Sequence, residues 1–424
     1  MTSPRSDKGA LLVIFLTVFI DLLGFGIVLP LVPVYAKQIA LDYQLSDHQV
    51  TLALVAIMTS FSVMQLFFSP IWGRLSDRWG RRPILLIGLA GSVCFYALLG
   101  LAMSSRSLVW LFVSRVGAGV CGATIPTAQA YIADVTPAEG RARGMALIGA
   151  AFGLGFTFGP LIGALALSIG GGSQAEAWPG LIAAGLSLAA LILAVFRLRE
   201  SLHPAAASAD HRRFDWAALR EALQIPSMGW LLTIAFLGVF ALASLESTIA
   251  LTIRSLLAAG RGEGLDISGA QQIFLVFAYI GLVQSLMQGL VYRRMARRLN
   301  ETVLALVGGL LAIVGYGLLA WAAHPVHGGL RTLMLAVAVE VTGICFLSPS
   351  VQALISRRSD PEKQGGVLGV AEGLGALGRI GGMAAGLALL QIDPAAPFWL
   401  GGGLMLFAVA LVWLAARRGH DYGA

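Results

Sequence analysis

Long apolar stretches alternate with short polar ones along all 424 residues of the chain. Each stretch is long enough to carry an α-helix across a hydrocarbon core about 30 Å thick. The pattern predicts twelve spans, at residues 9–35, 49–70, 84–104, 107–133, 143–169, 178–196, 228–254, 270–291, 302–322, 330–355, 366–390 and 396–416. The polar breaks are short except at 197–227, where Arg197, Arg199, Glu200, Asp210, Arg212, Arg213, Asp215 and Glu221 gather. That interval parts six spans from six. The expected organisation is an N-terminal bundle over 1–200, a linker over 201–227 and a C-terminal bundle over 228–424.

Composition agrees with a protein solvated mainly by lipid. Hydrophobic residues make up 57% and charged residues 12%, with a mean hydropathy of +0.82. A soluble domain carries about 25% charged residues. The net charge of +7 changes meaning once it is located. Of the 29 Lys and Arg, 22 fall in the N-terminus, the even-to-odd loops and the C-terminus. Lys37, Arg106, Arg254, Arg261 and Arg331 lie on the opposite side, and Arg115 and Arg379 lie within spans. By the positive-inside rule both termini face the cytoplasm, so the basicity expresses topology and calls for no nucleic acid. The first span is too long for a signal peptide, carries Asp21 in its middle and reads as a retained helix. Cys94, Cys121 and Cys345 sit in apolar stretches and read as small core residues without zinc spacing or a disulfide framework. The sequence has no phosphate-binding Gly-Lys-Ser/Thr loop, metal-spaced histidines or nucleophile elbow, which argues against an enzyme.

The two sets of spans share internal copies. Pro126-Thr127-Ala128-Gln129-Ala130-Tyr131-Ile132 matches Pro349-Ser350-Val351-Gln352-Ala353-Leu354-Ile355. The basic segment Gly73-Arg74-Leu75-Ser76-Asp77-Arg78-Trp79-Gly80-Arg81-Arg82 aligns without gaps to Gly289-Leu290-Val291-Tyr292-Arg293-Arg294-Met295-Ala296-Arg297-Arg298, with Arg293 where Asp77 stands. The halves are therefore read as parallel, pseudo-symmetric repeats, with a substrate expected at midplane between them.

The first basic copy is read as a tight turn at a membrane face, bent at Gly73 and Gly80, with Pro83 opening the next helix. It resembles the G-x-L-x-D-R-x-G-R-R loop of the major facilitator superfamily. The resemblance implies an all-α membrane protein of twelve transmembrane helices in two six-helix bundles, working by alternating access. It also implies a conformational latch at Gly73, Asp77, Arg78, Arg81 and Asp134. There Asp77 would face the start of span 11, and Arg81 would pair with Asp134.

Charges inside spans must find a partner or a wet cavity. At 1.5 Å per residue, Asp21 lies about 18 Å into its span, Glu340 about 15 Å and Arg115 about 12 Å. Glu372 and Arg379 share span 11, and Glu246 lies nearer the outer face of span 7. Asp21, Glu340, Glu372 and Glu246 are the proton-coupling candidates, because a desolvated carboxylate can exchange protons as access alternates. Structural ion pairing is the alternative, above all for Arg115 and Arg379, which do not readily lose a proton. Arg115, Gln129, Tyr279, Gln284, Gln288, Gln352 and Arg379 are the candidate cavity lining; for each neutral residue, interhelical hydrogen bonding is the competing role. Phe61, Phe67, Phe236, Phe240, Phe274 and Phe277 offer stacking surface, or simply core.

Span 5 contains Gly149, Gly153, Gly159, Pro160 and Gly163. It resembles the antiporter motif G-x-x-x-G-P-x-x-G-G of proton-coupled drug exporters, with Ala164 replacing the last glycine. Close packing against span 8 is the plainer reading of the same glycines. Span 1, with Asp21, Gly24, Gly26, Pro30 and Pro33, resembles the first helix of the tetracycline/proton antiporters. Spans 3 and 9 lack the acids of those exporters. The resemblance implies an inner-membrane monomer exporting hydrophobic or amphipathic small molecules in exchange for protons, without cofactor or metal. Metabolite uptake with protons and a non-transporting sensor are the alternatives.

Overall fold

A computed structural model describes residues 8–136, 141–169, 176–202, 225, 227–261, 267–324, 329–359 and 364–418. Most of the 201–227 linker lies outside the described residues. Those described are helical apart from turns, and twelve segments are long and apolar enough to cross a membrane. They are α1 (Gly9–Asp42), α2 (Asp47–Trp79), α3 (Arg81–Ser104), α4 (Leu108–Val135), α5 (Leu147–Ser168), α6 (Trp178–Arg197), α7 (Met228–Leu257), α8 (Gly269–Met295), α9 (Glu301–Ala323), α10 (Leu330–Arg358), α11 (Val367–Leu390) and α12 (Ala396–Arg418).

Local chemistry explains where these helices start and break. Ser107 caps α4 by accepting from the Trp110 N–H, and Asn300 caps α9 by accepting from the Val303 N–H at 2.8 Å. In α1 the helix stops at Val28 and resumes at Val32, around Pro30 and Pro33. In α4 it stops at Gly122 and resumes at Ile125, with Pro126 in the new first turn. Proline lacks the donor an interior turn needs but suits a first turn, so both breaks fall where the sequence demands. Pro70, Pro160 and Pro349 nevertheless stay inside long helices. Met287–Tyr292 of α8 winds as a π-helix.

The basic segment at 73–83 is not the hairpin that its residues suggest. Helix α2 runs on to Trp79, and Gly80 alone makes the turn, at φ 103°. Gly73 lies inside the helix with open space about it, and Pro83 is the third residue of α3. A single residue in a conformation that L side chains rarely adopt is enough to reverse the chain.

Residues cluster by contact into two units, the first comprising Met1–Ser46, Ala56–Arg213 and Asp266–Gly281, the second Asp47–Val55, Phe214–Leu265 and Leu282–Ala424. Within the first, α1 and α5 approach along glycines. A Cβ on Gly159 would lie 2.8 Å from the Gly26 Cα, and one on Gly155 would lie 2.9 Å from the Leu22 Cβ. Within the second, α9 and α10 approach at Gly308 and Gly343, each of whose Cβ would fall 2.7 Å from the other's carbonyl oxygen. Such close backbones replace hydrophobic burial as the adhesive between helices in lipid.

Candidate functional site

In the first unit, Asp21 of α1 is half-buried and meets α6 and α3. The Ser187 hydroxyl donates to its Oδ1 at 3.0 Å, and Ser92 of α3 lies beside it. One helical turn on from Ser92, the buried Tyr96 is within electrostatic reach of both Asp21 and Arg115. A serine hydroxyl can donate to a carboxylate or accept from a carboxylic acid. Asp21 can therefore bind or release a proton while keeping a partner.

Arg115 of α4 is only 3% exposed, and its Nε has no hydrogen-bond partner. Its guanidinium lies over the Phe61 ring, 4.6 Å from the centroid. Phe61 stands 5.3 Å from Phe25, and Phe25 meets Phe156 edge-on at 5.9 Å. A desolvated cation over an aromatic face gains about 2 kcal/mol, so the ring supports a charge that no acid among the described residues pairs with. The aromatic contribution of Phe25 and Phe156 is not apparent from the sequence. Of the phenylalanines singled out there, Phe274 and Phe277 are buried and Phe67 is exposed.

In the second unit, Glu340 of α10 has no exposed surface, and neither carboxylate oxygen has a hydrogen-bond partner. The Tyr316 hydroxyl of α9 lies close to it without meeting hydrogen-bond geometry. Glu246 of α7 is half-buried and within electrostatic reach of Glu340, and Arg379 of α11 is within reach of Glu246. Two further charged residues of the spans differ from these in burial. Glu372 and Arg379 of α11 are both exposed side chains. Among the proposed lining residues, Gln129, Gln288 and Gln352 are exposed, while Tyr279 and Gln284 are half-buried. Cys94 is exposed and Cys121 half-buried, so of the three cysteines Cys345 alone is a core residue.

At the Gly80 turn, Arg81 joins Asp77 at 2.5 Å and Asp134 at 3.2 Å, and donates to the Ser76 hydroxyl at 2.7 Å. Arg78 is exposed. Glu200, absent from the expected set, accepts from the Arg81 N–H at 2.8 Å and the Arg82 N–H at 3.1 Å. Its carboxylate occupies the space a Cβ on Gly80 would need, and it sits on the free N–H groups that open α3. An acid after a basic helix end reads in sequence as an ordinary surface charge, so nothing marked it. At another loop, Arg106 bonds Asp42 at 2.6 Å and Glu176 at 3.2 Å. Partial burial works against its charge, yet Glu176 and Asp42 outweigh that and raise its pKa above the ordinary arginine value.

The glycines of α5 divide their work. Gly155 and Gly159 face α1 rather than the expected α8, and Gly163 abuts the Phe274 ring of α8. Gly149 faces open space, and the Gly153 carbonyl accepts from Thr157 at 2.8 Å. No cluster of metal-binding side chains occurs among the described residues.

The family described as Major Facilitator Superfamily matches residues 14–380. The tetracycline resistance protein, class C, of Escherichia coli is 32% identical over 384 residues, covering 89% of this chain and 88% of that protein. The multidrug resistance protein 2 of Bacillus subtilis is 24% identical, covering 100% and 99%. In fold, the chain is similar to a D-xylose-proton symporter, with a TM-score of 0.75 at 13% identity, covering 99% of each chain. These likenesses agree with the superfamily and the twelve-helix fold read from the sequence.

Proposed function

The chain belongs to the Major Facilitator Superfamily, and from that premise we propose that it exports hydrophobic or amphipathic small molecules in exchange for protons. The observation that carries the proposal is the pair of carboxylates within spans, the half-buried Asp21 and the fully buried Glu340. An ionisable group at such depth is expensive and marks an ion pathway. Relatives named for tetracycline and multidrug resistance support export over proton-linked uptake.

On this reading Asp21 exchanges its proton with water while Ser187 and Ser92 hydrogen-bond to either form, and Arg115 and the Phe25–Phe61–Phe156 rings offer a cation and stacking faces to an aromatic substrate. Gln129 and Tyr279 of the first unit, and Gln284, Gln288 and Gln352 of the second, are lining candidates. Asp77, Arg81 and Asp134 belong to a latch that holds one face shut, and the division at 201–227 separates two moving bundles. The protein works as a monomer in the cell's inner (cytoplasmic) membrane with both termini in the cytoplasm, an orientation supported by its basic loops. The α5 glycines allow α1, with Asp21, to slide closely along α5.

The test is gradient-driven transport. Proteoliposomes with an acidic lumen and the cytoplasmic face outward should accumulate tetracycline or ethidium, and collapse of the gradient should release it. Accumulation indifferent to the gradient would overturn proton coupling. Accumulation only with an alkaline lumen would favour uptake in the cell.

A further inference from the structure

We propose that Glu340 and Tyr316 form a closed proton site in the second unit, separate from Asp21, in which Tyr316 positions the proton that Glu340 carries. The inference rests on the reading of the chain as a proton-driven transporter and adds a residue that this reading does not require.

The site is built by three glycines. Helix α9 reaches α10 because position 315 has no side chain: a Cβ there would fall 2.5 Å from both the Cα and the N of Glu340. The next residue, Tyr316, is 1% exposed. Its ring lies against α12 at Gly401, where a Cβ would come within 2.5 Å of Cε1 and 2.6 Å of Cδ1, and Gly402 borders the Tyr316 Cβ. The ring is therefore slotted, with its hydroxyl beside the carboxylate. Both Glu340 oxygens and the Tyr316 hydroxyl lack hydrogen-bond partners. A buried polar group left unmade costs about 1–3 kcal/mol, and a charged one more. Two such groups side by side call for a shared proton.

Charged groups from two other helices face the pair. Glu246, from α7, brings negative charge within reach of Glu340 and Tyr316, and Arg379, from α11, acts on Glu246. Cys345 lies further along α10. Tyr292, from the π-turn of α8, is within hydrogen-bond distance of Ser350 on α10, at 3.2 Å. No ion pair to Glu340 occurs among the described residues.

A transfer that conserves charge follows. The Glu340 O–H bond breaks, leaving its electron pair on oxygen, and the proton bonds to a Glu246 carboxylate oxygen, directly or through water. The Tyr316 O–H turns to donate to the carboxylate left behind. One negative charge is present before and after, so the step needs no further ion. Arg379 stabilises that charge on Glu246 and so keeps the proton on Glu340 until it moves away.

Infrared difference spectroscopy on the purified full chain tests this without a substrate. At neutral pH the wild type should show the carbonyl stretch of a protonated carboxylic acid. Glu340→Gln should lose that band while eluting as wild type on size exclusion. Tyr316→Phe should keep the band at a shifted frequency with an altered pH profile, and Gly401→Val, which displaces the ring, should reproduce the shift. A band that survives Glu340→Gln, or none in the wild type, would overturn the site. A frequency and pH profile untouched by Tyr316→Phe would remove Tyr316 from it. Gradient-driven transport with no Glu340 band would discard this site and leave the exporter standing; the band without transport would do the reverse.

Discussion

Asp21 and Glu340 occupy similar depths in the spans of their respective units, yet their surroundings differ in kind. Asp21 has a serine hydroxyl at 3.0 Å and a second serine alongside, groups that serve either protonation state. Glu340 has complete burial, two unpartnered oxygens and a tyrosine not yet bonded to it. The first environment suits rapid exchange. The second suits retention, because an unpaired carboxylate anion away from water costs several kcal/mol. A transporter that must not leak benefits from one acid that equilibrates and another that holds.

Altering either side sharpens that contrast, and the largest effect is expected from Glu340→Gln. It should reduce gradient-driven tetracycline or ethidium accumulation to background without lowering thermal stability, since the amide has the shape of the protonated acid and breaks no ion pair. Gly159→Leu attacks the other side through the scaffold: a side chain driven into Gly26 should cost about 1–3 kcal/mol. Thermal unfolding should record that loss, while the Glu340 infrared band, seated in the other unit, should stay in place. Ser187→Ala is milder. It takes one hydroxyl from Asp21 and leaves Ser92, so stability should fall by about 1 kcal/mol and transport should slow without losing its proton dependence. A Ser187→Ala protein that transports independently of the gradient would mean Asp21 does not exchange as described. Smallest is Asp77→Asn, which takes from Arg81 one of its two acids. Arg81 retains Asp134, so stability should change by under about 1 kcal/mol, with slower conformational turnover and unchanged ligand affinity as the signature of a latch.

The spans were legible because a bilayer reads composition and length, which sequence displays directly. Their ends were less so. The 73–83 segment looked like a hairpin because glycine and arginine mark turns in general, yet the helix absorbed Gly73 and spent only Gly80 on the reversal. Its second copy departs further, since a π-helix occupies Met287–Tyr292, and no residue pattern announces that extra residue per turn. At the sites, depth along a span could not tell the buried Glu340 and half-buried Asp21 from the exposed Arg379 and Glu372. Facing direction depends on neighbouring helices, not on position. Ser187, Ser92 and Tyr316 were invisible for a related reason. Small hydroxyls are common in membrane helices, and only the approach of α6, α3 and α9 gives these three a carboxylate to serve.

The most direct measurement is the pH inside proteoliposomes when tetracycline or ethidium is added outside, in wild type and in Glu340→Gln. The account predicts that wild type releases protons from the lumen as the compound enters, and that Glu340→Gln releases none although the compound still binds. Equal proton release by the two proteins would contradict it.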